Sequence, residues 1–171
     1  MMSARRVCLF AGMTLGMLTA RSSAAEGPAA NAKTPPRLVV FVCEHGSAKS
    51  LVAASFFDRL AKERGVAARA VSRGTAPDAS VPAAVVETLR DDGFDVAAFK
   101  PQRLKEADVA GADRVVAIGV DLGDVGAKAR GAVMRWDDIP PFSAGYPKAR
   151  QAILSRMESL FDDLERHPPD R

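Results

Sequence analysis

Cysteine is close to absent from this chain: two in 171 residues, Cys8 and Cys43. A disulfide framework of the kind that staples small exported domains is therefore excluded. Histidine is just as scarce, with His45 and His167 alone, and no cluster with metal-ligand spacing can be assembled from these residues. Neither a glycine-rich nucleotide loop nor an internal repeat is present, and no cofactor is implied. A long apolar run is also missing. The best candidate, residues 7–20, is too short and too rich in Gly and Thr to span a bilayer comfortably. Preceded by the short basic start 1–6 and followed by the small residues Ser23, Ala24 and Ala25, it reads as a secretory signal peptide cleaved after Ala25. An excess of charge of one sign disappears with it. The whole chain carries 24 basic and 21 acidic residues, but Arg5, Arg6 and Arg21 lie in the leader and no acidic residue does. The pI of about 9.1 therefore gives no argument for a nucleic-acid partner.

The expected organisation is a signal peptide over 1–25, a flexible Ala/Pro/Asn-rich linker over 26–36, and one domain over 37–167, of a size that supports a single core. The expected location is periplasmic or secreted, with no stable membrane insertion after cleavage. Cys43 is then the only thiol, so no intramolecular disulfide is possible. An exported protein with one cysteine hides it, pairs it with another chain, or uses it.

Its surroundings favour use. Leu38-Val39-Val40-Phe41-Val42 is an unbroken apolar run and predicts a buried strand. Val52, Ala53, Phe56, Phe57 and Leu60 recur at helical spacing and predict a helix over 50–64. Between them lies Cys43-Glu44-His45-Gly46-Ser47-Ala48-Lys49-Ser50, which places a thiol where a strand ends and a helix begins. Peptide N–H groups at a helix start lack intrahelical partners, and the helix dipole adds partial positive charge. Such a place binds oxyanions and favours a thiolate. Gly46 supplies a backbone able to curl round an anion, and Lys49 adds a full positive charge.

This segment resembles the phosphate-binding loop of the low-molecular-weight protein tyrosine phosphatases and their arsenate reductase relatives: a Cys, five residues, an Arg, then Ser or Thr. A second segment, Ser72-Arg73-Gly74-Thr75 followed by a helix that begins near Pro82, resembles the family's next strand and helix. The resemblance implies that Cys43 is the nucleophile, Ser50 the hydroxyl that serves it, and Gly46 the counterpart of a structural Asn. The oxyanion would be held by Glu44, His45, Gly46, Ser47, Ala48, Lys49 and Ser50. Two departures stand out. Lys49 occupies the Arg position, and Pro140 falls where the family has the Asp of an Asp-Pro pair, its general acid. Asp138 is the nearest substitute, and Asp137 a poorer one. The implied partner is a phosphorylated small molecule or phosphoprotein. The thioredoxin-linked arsenate route requires additional cysteines, which this chain lacks.

Further strands are expected over 68–72, 114–118 and 132–136. Helices are expected over 82–92, 102–110 and the C-terminal stripe Ile153, Met157, Leu160, Phe161 and Leu164, with a weak helical turn in 121–130 and a short extended piece over 94–96. Alternation of this kind predicts an α/β fold, a three-layer sandwich with a four-stranded parallel sheet and the phosphate-binding loop after the first strand. Ligands on such sheets bind at the carboxyl ends of the strands.

Overall fold

A computed structural model describes residues 35–168. The leader and most of the linker expected from the sequence lie outside the described residues. Four strands, β1 (Arg37–Cys43), β2 (Ala68–Gly74), β3 (Arg114–Ala117) and β4 (Ala132–Arg135), form one sheet in the order β2-β1-β3-β4. Every pair is parallel. Five helices connect or close them: α1 (Lys49–Glu63), α2 (Ala83–Asp91), α3 (Glu106–Ala110), α4 (Gly123–Gly126) and α5 (Tyr146–Arg166). Among the described residues no helix is long and apolar enough to cross a membrane.

The pleat divides β1 between two cores. Val39, Phe41 and Cys43 pack with the apolar stripes of α1 and α5, whereas Val40 and Val42 pack with Val109 and Leu122 on the other side. That explains why β1 reads as a continuous apolar run rather than an alternating one. The larger core is aromatic. Phe57 stacks on Phe161 at 4.9 Å, and Trp136 lies 5.6 Å from Phe41 with 2% of its surface exposed. Trp136 is thus part of the core.

Two expected elements change. Residues 94–96 do not join the sheet: Phe94 packs edge-on against Phe56, 5.0 Å away, with the Arg59 guanidinium 4.3 Å from its ring. The helix expected over 102–110 begins only at Glu106, because Gly74 N–H donates to Gln102 O at 2.9 Å and Leu104 N–H to Gly74 O at 2.9 Å. These bonds hold the preceding segment extended alongside the end of β2. The chain runs from β1 to β2 on one side and returns to β3 on the other. The carboxyl end of β1 is therefore at the point where strand order reverses, the place where sheets of this kind bind ligands.

Candidate active site

Cys43 is the last residue of β1, on the α1 side of the sheet and 3% exposed. The loop after it must double back to start α1 at Lys49, and two glycines permit this. Gly46 adopts φ +65°, and a Cβ there would lie 2.8 Å from Gly74 N; a Cβ on Gly74 would lie 2.9 Å from Glu44 O. The two backbones touch, and neither position tolerates a side chain.

The loop's carbonyls are consumed from the β2 side. Cys43 O accepts from Thr75 N–H at 3.1 Å, Glu44 O from Ala76 N–H at 2.8 Å, and His45 O from Asp78 N–H at 3.1 Å. Gly46 N–H donates to Cys43 Sγ at 3.3 Å. The N–H groups of Glu44, His45, Ser47, Ala48, Lys49 and Ser50 donate to no acceptor among the described residues. Ala48, at the N-cap of α1, offers no side-chain oxygen either. A row of spare donors around one sulfur is an oxyanion cradle.

Hydroxyls complete it from below. Ser50 Oγ lies 3.0 Å from Cys43 Sγ, and Ser72 Oγ lies 2.8 Å from Ser50 Oγ and 3.0 Å from Gly46 O. Each hydroxyl has one proton to give. With a thiolate the chain runs from Ser72 to Ser50 to sulfur. With a thiol it reverses, and Ser72 donates to Gly46 O. Either charge state is served by rotating hydroxyl protons, with no heavy atom moved. Asp78 braces the outer rim: it accepts from the buried Ser47 hydroxyl and lies 3.3 Å from His45 Nδ1, while Glu44 lies 3.7 Å from His45 Nε2. His45 thus orders the rim and is half exposed.

Lys49 is partly buried and forms no ion pair with any described residue. Its Nζ sits 3.1 Å from where a Cβ on Gly119 would be, against the turn that follows β3. A side chain at Gly119 would displace it.

The carboxylates of the 137–146 loop are engaged elsewhere. Asp137 takes two bonds from Arg135, at 3.0 and 3.1 Å. Asp138 pairs with Arg156 of α5 at 2.7 Å, and that bond, outweighing what burial there is, holds its carboxyl below the usual carboxylate range. To give a proton Asp138 must first leave Arg156. The Tyr146 hydroxyl, at the end of this loop, donates to Asp92.

The family model described as Low molecular weight phosphotyrosine protein phosphatase matches residues 38–130, which span β1, the cradle, β2 and β3. The chain belongs to this family. Among solved structures, the low-molecular-weight phosphatase fold recurs in a thioredoxin-dependent arsenate reductase from Corynebacterium glutamicum, with TM-score 0.62 and 20% identity over 78% of this chain and 64% of that one. A low molecular weight protein tyrosine phosphatase from T. tengcongensis matches with TM-score 0.60 and 23% identity over 75% of this chain and 99% of that one. Wzb from Vibrio vulnificus, in complex with benzylphosphonate, matches with TM-score 0.63 and 18% identity over 75% and 99%. At these identities the likenesses show the fold.

Seen as a low-molecular-weight phosphatase, the site contains two residues that sequence reasoning did not single out. Ser72 is visible in the second family-like segment, and its place beneath Ser50 follows from the register that pairs Phe41 with it. Asp78 had no comparable signal. It follows a proline in an irregular loop, 31 positions from Ser47, and only the closing of β2 onto β1 makes the two neighbours.

Proposed function

We propose that the mature protein is an exported cysteine-dependent phosphatase that hydrolyses phosphotyrosine or small aryl phosphates slowly. The observation that supports this reading is the cradle itself: a sulfur with a peptide donor at 3.3 Å and a hydroxyl at 3.0 Å, ringed by unpaired N–H groups. In the proposed reaction the Cys43 thiolate attacks phosphorus as the P–O bond to the aryl group breaks, and the oxygen leaves with the bonding pair. Water then attacks the phosphocysteine, releases inorganic phosphate and returns the thiolate. The spare amides and Lys49 stabilise the charge on the equatorial oxygens. Lys49 is the weak part, because an ammonium is a point charge where Arg gives two directed bonds. Asp138 is the proposed proton donor to the leaving group, acting after exchange away from Arg156.

The Asp138–Arg156 pair and Lys49 together favour a second reading, a member that holds phosphate or arsenate without turnover. A third reading, arsenate reduction with an external thiol, has only the family's fold behind it. Assay of an aryl phosphate decides between the first two. The phosphatase reading expects turnover that is lost in Cys43→Ser and raised in Lys49→Arg. Phosphate binding that persists in Cys43→Ser, with turnover in no variant, overturns it in favour of the binder.

A further inference from the structure

At the other end of the sheet, where β1, β3 and β4 begin and α5 ends, a cavity of about 540 Å³ is lined by Arg37, Arg114, Arg130, Arg166, His167 and Asp113, together with Gly131 and Ala132. Its charges do not balance. Both oxygens of Asp113 are engaged, Oδ2 by Leu38 N–H at 2.8 Å and Oδ1 by Arg130 at 3.2 Å. Asp163 is engaged as well, by Arg114 at one oxygen and by His167 Nδ1 at 3.2 Å from the other. Two carboxylates therefore answer two guanidiniums, while Arg37 and Arg166 pair with no carboxylate among the described residues.

Part of this is structural. Arg37 gives one terminal nitrogen to Leu164 O and the other to His167 O at 2.7 Å, and Arg166 Nε bonds Asp162 O at 3.2 Å, so both close the carboxyl end of α5. Capping leaves Arg37 Nε unexplained, because it is buried with no hydrogen-bond partner. A polar donor buried without an acceptor is costly, and more so on a charged group. Burial, with Arg114 beside it, pulls the Arg37 pKa below its ordinary value despite Asp113 and Asp163. An oxyanion in the cavity would offset the surplus charge of Arg37 and Arg166, both of which line it.

We propose that this cavity is a second anion site, separate from the Cys43 cradle, that takes a small polyanion through phosphoryl or carboxylate oxygens. A concave pocket of this volume suits a small molecule, and forked guanidiniums suit planar or tetrahedral oxyanions. It lies at the opposite end of β1 from Cys43 and shares no residue with the cradle.

The test is a titration of the ¹⁵N-labelled protein with pyrophosphate, and in parallel with citrate, at constant ionic strength. Saturable shifts of the Gly131, Ala132 and His167 amides are expected, with about tenfold weaker binding in Arg166→Gln. The Gly46 to Ser50 amides of that variant should respond as in the parent protein. Arg37→Gln removes two bonds that tie the end of α5 to β1 and can unfold it, whereas the exposed Arg166 loses only one bond within its own helix and carries the test. A response to one probe alone assigns phosphoryl or carboxylate chemistry. Shifts confined to Gly46–Ser50, shifts that never saturate, or equal affinity in Arg166→Gln overturn the proposal. So does a response seen only with anionic phospholipid vesicles.

Discussion

At Lys49 the difference between an ammonium and a guanidinium becomes a difference in rate. A donor aimed at a developing oxyanion is worth about two to three orders of magnitude when removed, and Lys49 keeps the charge while losing the direction. Lys49→Arg is therefore expected to raise kcat/KM for an aryl phosphate by about 10- to 100-fold, measured by steady-state release of the phenol. An unchanged or lower value would mean that Nζ, held against Gly119, never faces the anion. Asp138 makes a matching prediction. While it stays with Arg156 the leaving group departs unprotonated, so rates should fall steeply from nitrophenyl to alkyl phosphates. Arg156→Gln should flatten that series by freeing the carboxyl; an identical slope in both proteins would remove Asp138 from the mechanism. At Gly46 the constraint is steric. Gly46→Ala adds a Cβ 2.8 Å from Gly74 N at φ +65°, and should cost at least about 2 kcal/mol in denaturant unfolding together with phosphate binding.

Elements, rather than residues, decide how much of this could be read from sequence. The strand–thiol–helix unit was legible because its signals are local: an unbroken apolar run, a glycine, and a helical stripe over Val52 to Leu60. The order of strands and helices followed from alternation, and β1, α1, β2 and α2 lie within two residues of expectation. Legibility failed where a distant partner set the conformation. Residues 102–104 have nothing against a helix, but the end of β2 needed hydrogen bonds at Gly74 and drew them into an extended form. Phe94 looked strand-like because it is apolar, and its ring is used instead under Arg59. Asp78 was invisible for the same reason, since its partners Ser47 and His45 belong to another element. The turn before β4 carries a test at this scale. A Cβ on Gly131 would lie 2.0 Å from Asp113 O, so Gly131→Ala must shift backbone and should lower stability by several kcal/mol. A loss under about 0.5 kcal/mol, the range of neutral surface changes, would mean that β3 and β4 are less closely joined.

For the whole molecule, two helix carboxylates bonded to the sheet, Asp163 and Asp58, are expected to act on acid stability in opposite directions. Burial pushes the Asp163 carboxyl up, but Arg114 and its other cationic neighbours outweigh it and leave its pKa below 3.8. Its stabilisation is thus complete above the unfolded value and lost as pH falls through the folded one. Asp58 has the opposite sign: burial raises its pKa despite the bond from Ala70 N–H, so its contribution is present in acid and fades as pH rises. In urea unfolding between pH 3 and 7, the deficit of Asp163→Asn relative to the parent should shrink towards pH 3, whereas the relative stability of Asp58→Asn should improve as pH rises. The same direction for both would refute the assignment. The amino-acid sequence by itself determined the α/β class, the position of a thiol between strand and helix, and the departures at Lys49 and Pro140, because each is written in neighbouring residues. Tertiary structure alone decided what surrounds that thiol, namely Ser72 beneath it, Asp78 at its rim and Asp138 drawn off to Arg156. It also gathered four arginines at the far end of the sheet. Those contacts join residues tens of positions apart, and hydrogen bonds and charge act through space, where the order of the chain sets no distance.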